Sequence, residues 1–184
     1  MMKKYLLFLF IICLSLSLCA CAKESTDPLA YQSYPFYVEG TLTFDETDYD
    51  FSLSMESESS STITFSSPDS LRDFVFRITP EGTTLSYEDM TIDFNKTDKS
   101  ALIRLVPSLF ALKIENLKSS TEDTVSSVPV LVSTFSTQAG DVVVYLNRDT
   151  LTPLRFEGKD FVVNIFTFTH AKAPESATPV PDQA

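Results

Sequence analysis

From residue 36 to residue 168, apolar side chains recur at every second position in one short run after another, and that period commits most of the chain to antiparallel sheet. Phe36, Val38, Leu42 and Phe44 oppose Tyr37, Glu39, Thr41 and Thr43; after the polar triplet Asp45-Glu46-Thr47, Tyr49, Phe51, Leu53 and Met55 alternate with Asp50, Ser52 and Ser54. The first pair therefore reads as a hairpin. Further strands are predicted at 62–65, 74–79, 83–87, 90–94, 128–134, 141–146, 153–157 and 161–168. Pro80-Glu81-Gly82 supplies the residue types of a tight bend. Of only four glycines, Gly82, Gly140 and Gly158 fall between alternating runs, and each marks a hairpin.

One segment departs from period two. Leu102, Leu105, Val106, Leu109, Phe110, Lys113 and Leu117 lie at helical spacing, with Asp98 or Ser100 as a cap. Pro107 stands inside and removes a backbone donor, which predicts a kink or two short helices across 99–118. A further helical turn is expected at 67–71, with Ser67 as cap and Pro68 at the first position. These elements define an α+β domain: a curved, mostly antiparallel sheet, an open half-barrel, covered by a Pro-interrupted helical segment.

Several strands are apolar on both faces. In the run 161–168 one face carries Phe161, Val163 and Ile165 and the other Val162, Phe166 and Phe168, while 142–146 and 74–76 behave likewise. A meandering sheet needs only one covered face, and some twenty residues of helix are too few to cover two. Three arrangements account for the excess: central strands buried on both sides by loops and chain ends, an apolar cavity between sheet and helices that holds a lipid or acyl chain, or an exposed patch used by a partner. For the cavity, the candidate wall residues are Phe76, Phe110, Val144, Phe166 and Phe168.

The N-terminus is of another kind. Lys3 and Lys4 precede a fourteen-residue apolar run, 5–18, shorter than the roughly 20 residues needed to span a bilayer and typical of a secretory signal. Leu18-Cys19-Ala20-Cys21 then resembles the lipobox of bacterial lipoproteins, with Leu at −3, a small residue at −1 and Cys at +1. The resemblance implies cleavage between Ala20 and Cys21, a diacylglyceryl group on the Cys21 thiol and an extracytoplasmic protein held at a membrane or cell envelope without spanning it. Palmitate-type double acylation gives stable attachment where one chain would not. The expected division is 1–20 signal peptide, 21–34 lipidated N-terminus and tether, 35–170 one folded domain, and 171–184 a Pro-rich disordered tail.

Cys13, Cys19 and Cys21 all lie at or before the cleavage point, so the folded part reaches stability without a disulfide. The whole chain carries −11; losing Lys3 and Lys4 leaves 12 basic against 25 acidic side chains, about −13. Scattered cations in so acidic a chain exclude nucleic acid as a partner and disfavour electrostatic docking on anionic lipid. The single imidazole, His170, sits beside the tail, and no Gly-x-Ser-x-Gly turn presents a nucleophile. Asp45, Glu46, Asp48 and Asp50 crowd carboxylates together, yet lack the Gly and the distant Glu of a calcium loop and read as a solvated hairpin tip. No cofactor and no enzymatic reaction are indicated.

The order of strands, Pro-interrupted helical pair and strands, with aromatic-rich hairpins and a lipid anchor, resembles the half-barrel family of periplasmic lipoprotein carriers and their lipoprotein relatives. That resemblance implies an incomplete barrel, closed by helices, that binds acyl chains. The N-terminal helix of such carriers is missing and no specific motif is shared, so no residue role carries over. The expected function is an anchored binding module for an apolar ligand such as lipid or acyl chains; the alternative is an envelope interaction protein with a filled core and a partner-binding face.

Overall fold

The first and last strands of the chain lie side by side at the centre of one sheet. The computed structural model describes residues 26–94 and 101–170; the signal segment with Ala20 and Cys21, the expected caps Asp98 and Ser100, and the 171–184 tail fall outside the described residues. Six strands come first: β1 (Phe36–Phe44), β2 (Thr47–Ser57), β3 (Ser60–Phe65), β4 (Val75–Ile78), β5 (Thr83–Tyr87) and β6 (Met90–Phe94). Helix α1 (Ala101–Leu109) follows, then β7 (Leu117–Val125), β8 (Val128–Thr137), β9 (Gly140–Asn147), β10 (Pro153–Glu157) and β11 (Phe161–His170). All eleven form one antiparallel sheet in the order β6-β5-β4-β3-β2-β1-β11-β10-β9-β8-β7. Every neighbour is a chain neighbour except β1 and β11, whose pairing from Phe36↔His170 to Phe44↔Phe161 joins two meanders.

Tight turns fix the registers. Asp45 and Glu46 between β1 and β2, and Ser126 and Ser127 between β7 and β8, all have positive φ, the geometry that matches a two-residue turn to the twist of its strands. A flat sheet of this order would be roughly 48 Å across at the usual strand spacing, against an α1 of about 14 Å. Yet one buried cluster draws on β1 to β4 and β8 to β11 together with Val106, Leu109 and Phe110. The sheet therefore curves, and its concave face is the core.

The result is a large open antiparallel sheet consistent with a half-barrel, but mostly β rather than α+β. Among the described residues, helix is confined to the nine residues of α1 and two short 3₁₀ turns, Asp69–Leu71 and Ile114–Asn116. Pro107 lies inside α1, and beyond it Phe110 and Ala111 bond back only three residues, to Pro107 and Ser108, so the helix tightens and stops. Leu117, expected on the helical face, begins a strand instead. At the first 3₁₀ turn the cap position is Pro68, with no side-chain cap bond, and not Ser67.

β7 is absent from the strands expected, because Lys118-Ser-Ser-Thr-Glu-Asp-Thr is polar on both faces; it pairs with β8 from Leu117↔Phe135 to Val125↔Val128. The packed chain also begins before residue 35. Tyr31 is 2 % exposed, and Leu29 and Tyr34 pack against the same core.

The doubled apolar face of β11 has a local cause. Val38 faces Phe168, Glu39 faces Thr167, and Gly40 faces Ile165, so Phe166 is the extra residue of a β-bulge. The bulge reverses the alternation, and Phe168 returns to the side of Val163. Phe166 is left 71 % exposed. Gly40 is required opposite it, since a β-carbon there would stand 2.3 Å from the Asn164 carbonyl oxygen. Elsewhere the second apolar set, Val75, Val143, Tyr145 and Val162, is half-buried among its convex-face neighbours.

Candidate functional site

Where the concave face is covered, two pieces of chain share the work, and a groove opens beside their junction. Segment 27–34 folds as successive turns. The Leu29 amide donates to Asp27 Oδ1 at 2.9 Å, and Ala30 and Gln32 amides bond back to Asp27 and Leu29. Its side chains then satisfy carbonyls that the end of α1 leaves without helical partners: the Tyr34 hydroxyl donates to Phe110 O at 2.9 Å, Gln32 Nε2 to Leu112 O at 3.1 Å, and the Tyr31 hydroxyl to Leu109 O at 3.4 Å.

Tyr31 enters a cluster of rings, with Phe110, Phe156 and Phe168 at centroid distances of 6.1, 6.3 and 6.4 Å. Burial pushes the Tyr31 hydroxyl pKa well above its ordinary value of 10.0, and burial likewise raises that of Tyr34. Both stay protonated as donors.

Beyond this junction the cover thins toward β7. An open-sided groove of about 840 Å³ runs between the start of the covering segment and the concave face of β7 and β8. Its apolar walls are Leu29, Leu112, Ile114, Leu117 and Leu131, with the buried Pro28. Ser120, Glu122, Gln32, Asp27 and Lys113 add polar groups. The polar side chains are engaged: Ser120 Oγ lies 2.9 Å from the buried Ser133 Oγ, Glu122 pairs with Arg148 at 3.2 Å, and Lys113 pairs with Glu58. Apolar walls with bonded polar groups at the edge suit retention of an apolar guest. Among the described residues, the lining contains neither His nor Cys.

None of the five side chains named from the sequence lines this groove. Phe76, Phe110 and Val144 are buried core; Phe168 is half-buried against Tyr31, Phe36 and His170; Phe166 points outward over a convex groove with Glu39, Asp50 and Arg72. The sequence pattern assigns the groove residues to tether, helical segment and loop, with Leu131 alone in a predicted strand, so their convergence is invisible to strand-by-strand patterning. A signal exists in Leu29 and Tyr31, apolar residues in a stretch otherwise polar.

His170 is held at the end of β11, where its Nδ1 lies 2.9 Å from the Ser33 carbonyl oxygen, with Phe36 and Phe168 edge-on to the ring. In the acidic hairpin, Thr41 and Thr43 hydroxyls donate to Asp50 and Asp48 at 2.6 and 2.7 Å. Those carboxylates thus lie in rows across the convex surface.

At the opposite edge of the sheet, β6 shows a second uncovered stretch. Met90 pairs with Tyr87 and Ile92 with Leu85, which places them on the concave side, yet they are 59 % and 50 % exposed. A smaller convex groove of about 340 Å³ is lined by Val125, Val128, Val130, Tyr145 and Leu154, bordered by Arg155 and Glu157.

No protein-family model and no curated protein matches the chain. Among solved structures, an uncharacterized conserved protein from Thermus thermophilus overlays with a TM-score of 0.54 at 14 % identity, covering 81 % of this chain and 86 % of the other. A LolA superfamily protein from Nitrosomonas europaea gives 0.42 at 9 % identity over 76 % and 87 % of the two chains. LprF from Mycobacterium bovis gives 0.39 at 10 % over 80 % and 90 %. The first likeness is one of fold alone, that of a large open antiparallel sheet.

Proposed function

We propose that the chain is an extracytoplasmic lipoprotein, cut between Ala20 and Cys21 and anchored by lipid on Cys21, whose half-barrel binds an apolar ligand of the lipid or acyl-chain class. The observation that carries the binding reading is the groove between segment 27–34 and the concave face of β7 and β8, with five aliphatic side chains along it. Its volume falls within the roughly 300–1,000 Å³ of small-molecule sites. The anchor reading rests on the lipobox-like residues Leu18 to Cys21 and the apolar run before them.

The test is saturable binding of a fluorescent fatty acid to the chain starting at Ala22, which keeps every described residue. Leu131→Trp, which fills the groove, should weaken binding by about tenfold, the worth of roughly two buried methylenes. Absence of saturable binding, or equal binding by the filled variant, overturns the reading. For the anchor, Cys21→Ser should abolish metabolic labelling with radioactive palmitate; retained labelling refutes it.

A second reading has its own observation. The aromatic core at the centre of the concave face is filled, and the convex groove around Val128 and Leu154 offers an apolar face to an envelope protein. Cross-linking from that face in cells, recovering one partner that Val128→Glu abolishes, would favour it over the ligand.

A further inference from the structure

The groove begins five residues after the proposed anchor, Cys21. Thr26, Asp27 and Pro28 line the groove, and only residues 22–25 separate Thr26 from Cys21. Whatever path those four residues take, covalent geometry limits the separation of Cys21 and Thr26 to about 18 Å. Beside the same rim the 3₁₀ turn Ile114–Asn116 carries Ile114, 56 % exposed. Lys113 and Lys118 nearby are each paired with a carboxylate, Glu58 and Asp141, and Asp27, Glu115 and Glu122 add negative charge. This rim has an apolar contact to offer a membrane but no excess of positive charge.

We propose that the groove mouth faces the bilayer, with Ile114 at the lipid interface, so that acyl chains pass between membrane and groove without crossing water. The inference rests on the lipidation of Cys21 and gives the proposed ligand its source. It requires a zwitterionic surface no less than an anionic one, because the contact is apolar. It also orients the remainder of the molecule: β7 runs from Leu117, close in sequence to Ile114, to Val125, about 27 Å along a strand, so the hairpin tip with Val128 stands farther from the membrane than Ile114 does.

The chain has no tryptophan, so one introduced indole reports its own surroundings. The lipidated full-length protein would be reconstituted in phosphatidylcholine vesicles, with or without bromine on the acyl chains, as Ile114→Trp and, separately, Val128→Trp; both positions are exposed. Brominated lipid should quench the Ile114→Trp emission roughly twofold, as expected for a side chain a few ångströms into the interface, and leave Val128→Trp unchanged. Equal quenching at the two positions, or quenching at Val128→Trp alone, overturns the proposed orientation. Flotation of the vesicles reads the anchor separately: a chain that stays behind overturns the orientation together with the lipidation. A chain that floats and is quenched at Ile114→Trp, yet binds no fatty acid in solution, upholds the orientation and removes the ligand reading alone.

Discussion

The concave face at the β1–β11 seam and the same face near the edges of the sheet are made of similar side chains and end in opposite states. At the seam, Tyr31, Phe36, Phe110, Phe156 and Phe168 interlock, and the nearest pair, Phe110 and Phe156, has centroids 5.0 Å apart. At β6, Met90 and Ile92 face the same way with water over them, and at β7 the face becomes a groove. The difference follows from supply. One nine-residue helix and one N-terminal segment cover the middle of an eleven-stranded sheet, and the core exists where they reach. The apolar excess noticed in the sequence is resolved three ways: by the bulge at Phe166, by half-burial on the convex face, and by leaving concave surface uncovered at the edges.

The sharpest way to break this contrast is to truncate one residue in each region. Phe110→Ala should destabilise by about 3–5 kcal/mol, the cost of a large cavity among rings that cannot collapse. Leu117→Ala, half-buried beside the groove, should cost about 1 kcal/mol because water already reaches the site. Urea unfolding of the two variants decides it, and equal losses would mean that the groove is core. Next in size is Gly40→Ala. The new methyl would meet the Asn164 carbonyl, a backbone atom held in the sheet, so a loss of about 1–3 kcal/mol is expected with the seam strained where the two meanders join. An unchanged midpoint would show that β11 can slide at its bulge.

Leu117 and Gly40 also show what is legible in the sequence. Period-two alternation locates ten of the strands, since apolar side chains mark the concave face of each, covered or, at β6, exposed, and the hairpin order follows from short polar turns. β7 escapes because an edge strand bordering an open groove has no buried face to imprint on its residues. Gly40 is the fourth glycine and falls inside a strand, where glycine commonly signals a bulge; that signal is present and leads directly to Phe166. Helical spacing detects α1 but overextends it, because Leu117 serves the concave face of β7 at a spacing that also suits a helix. The groove stays hidden for a different reason. Its walls come from segments near residues 30, 113, 120 and 131, and only the β1–β11 pairing and the curvature it closes bring such distant pieces together.

The covering segment gives the contrast a pH dependence. Tyr31 ionises near 10.0 when unfolded, while burial holds it neutral to higher pH in the folded chain. The stabilisation is therefore complete below about pH 10 and declines as pH rises from there toward the folded value, with a slope of about 1.4 kcal/mol per pH unit from this one group. Tyr34, also raised by burial, adds in the same direction. Tyr31→Phe should keep most of the packing and flatten that alkaline slope, measured as unfolding free energy between about pH 9 and 11. A slope unchanged by the substitution would mean that segment 27–34 does not hold Tyr31 among the core rings.

The smallest expected effect falls on the extra residue of the bulge. Phe166 stands on the convex side of a bulge with 71 % of its surface in water, so Phe166→Ser removes little buried area and leaves the Gly40–Ile165 pairing untouched. The change in unfolding free energy should stay within about 0.5 kcal/mol. Phe168→Ser, two positions on in the same strand, should cost several times more, because its ring packs on Phe36 at 5.2 Å and on Tyr31. Comparable costs at the two positions would show that the bulge is not where the registers place it, and that Phe166 turns inward with the seam.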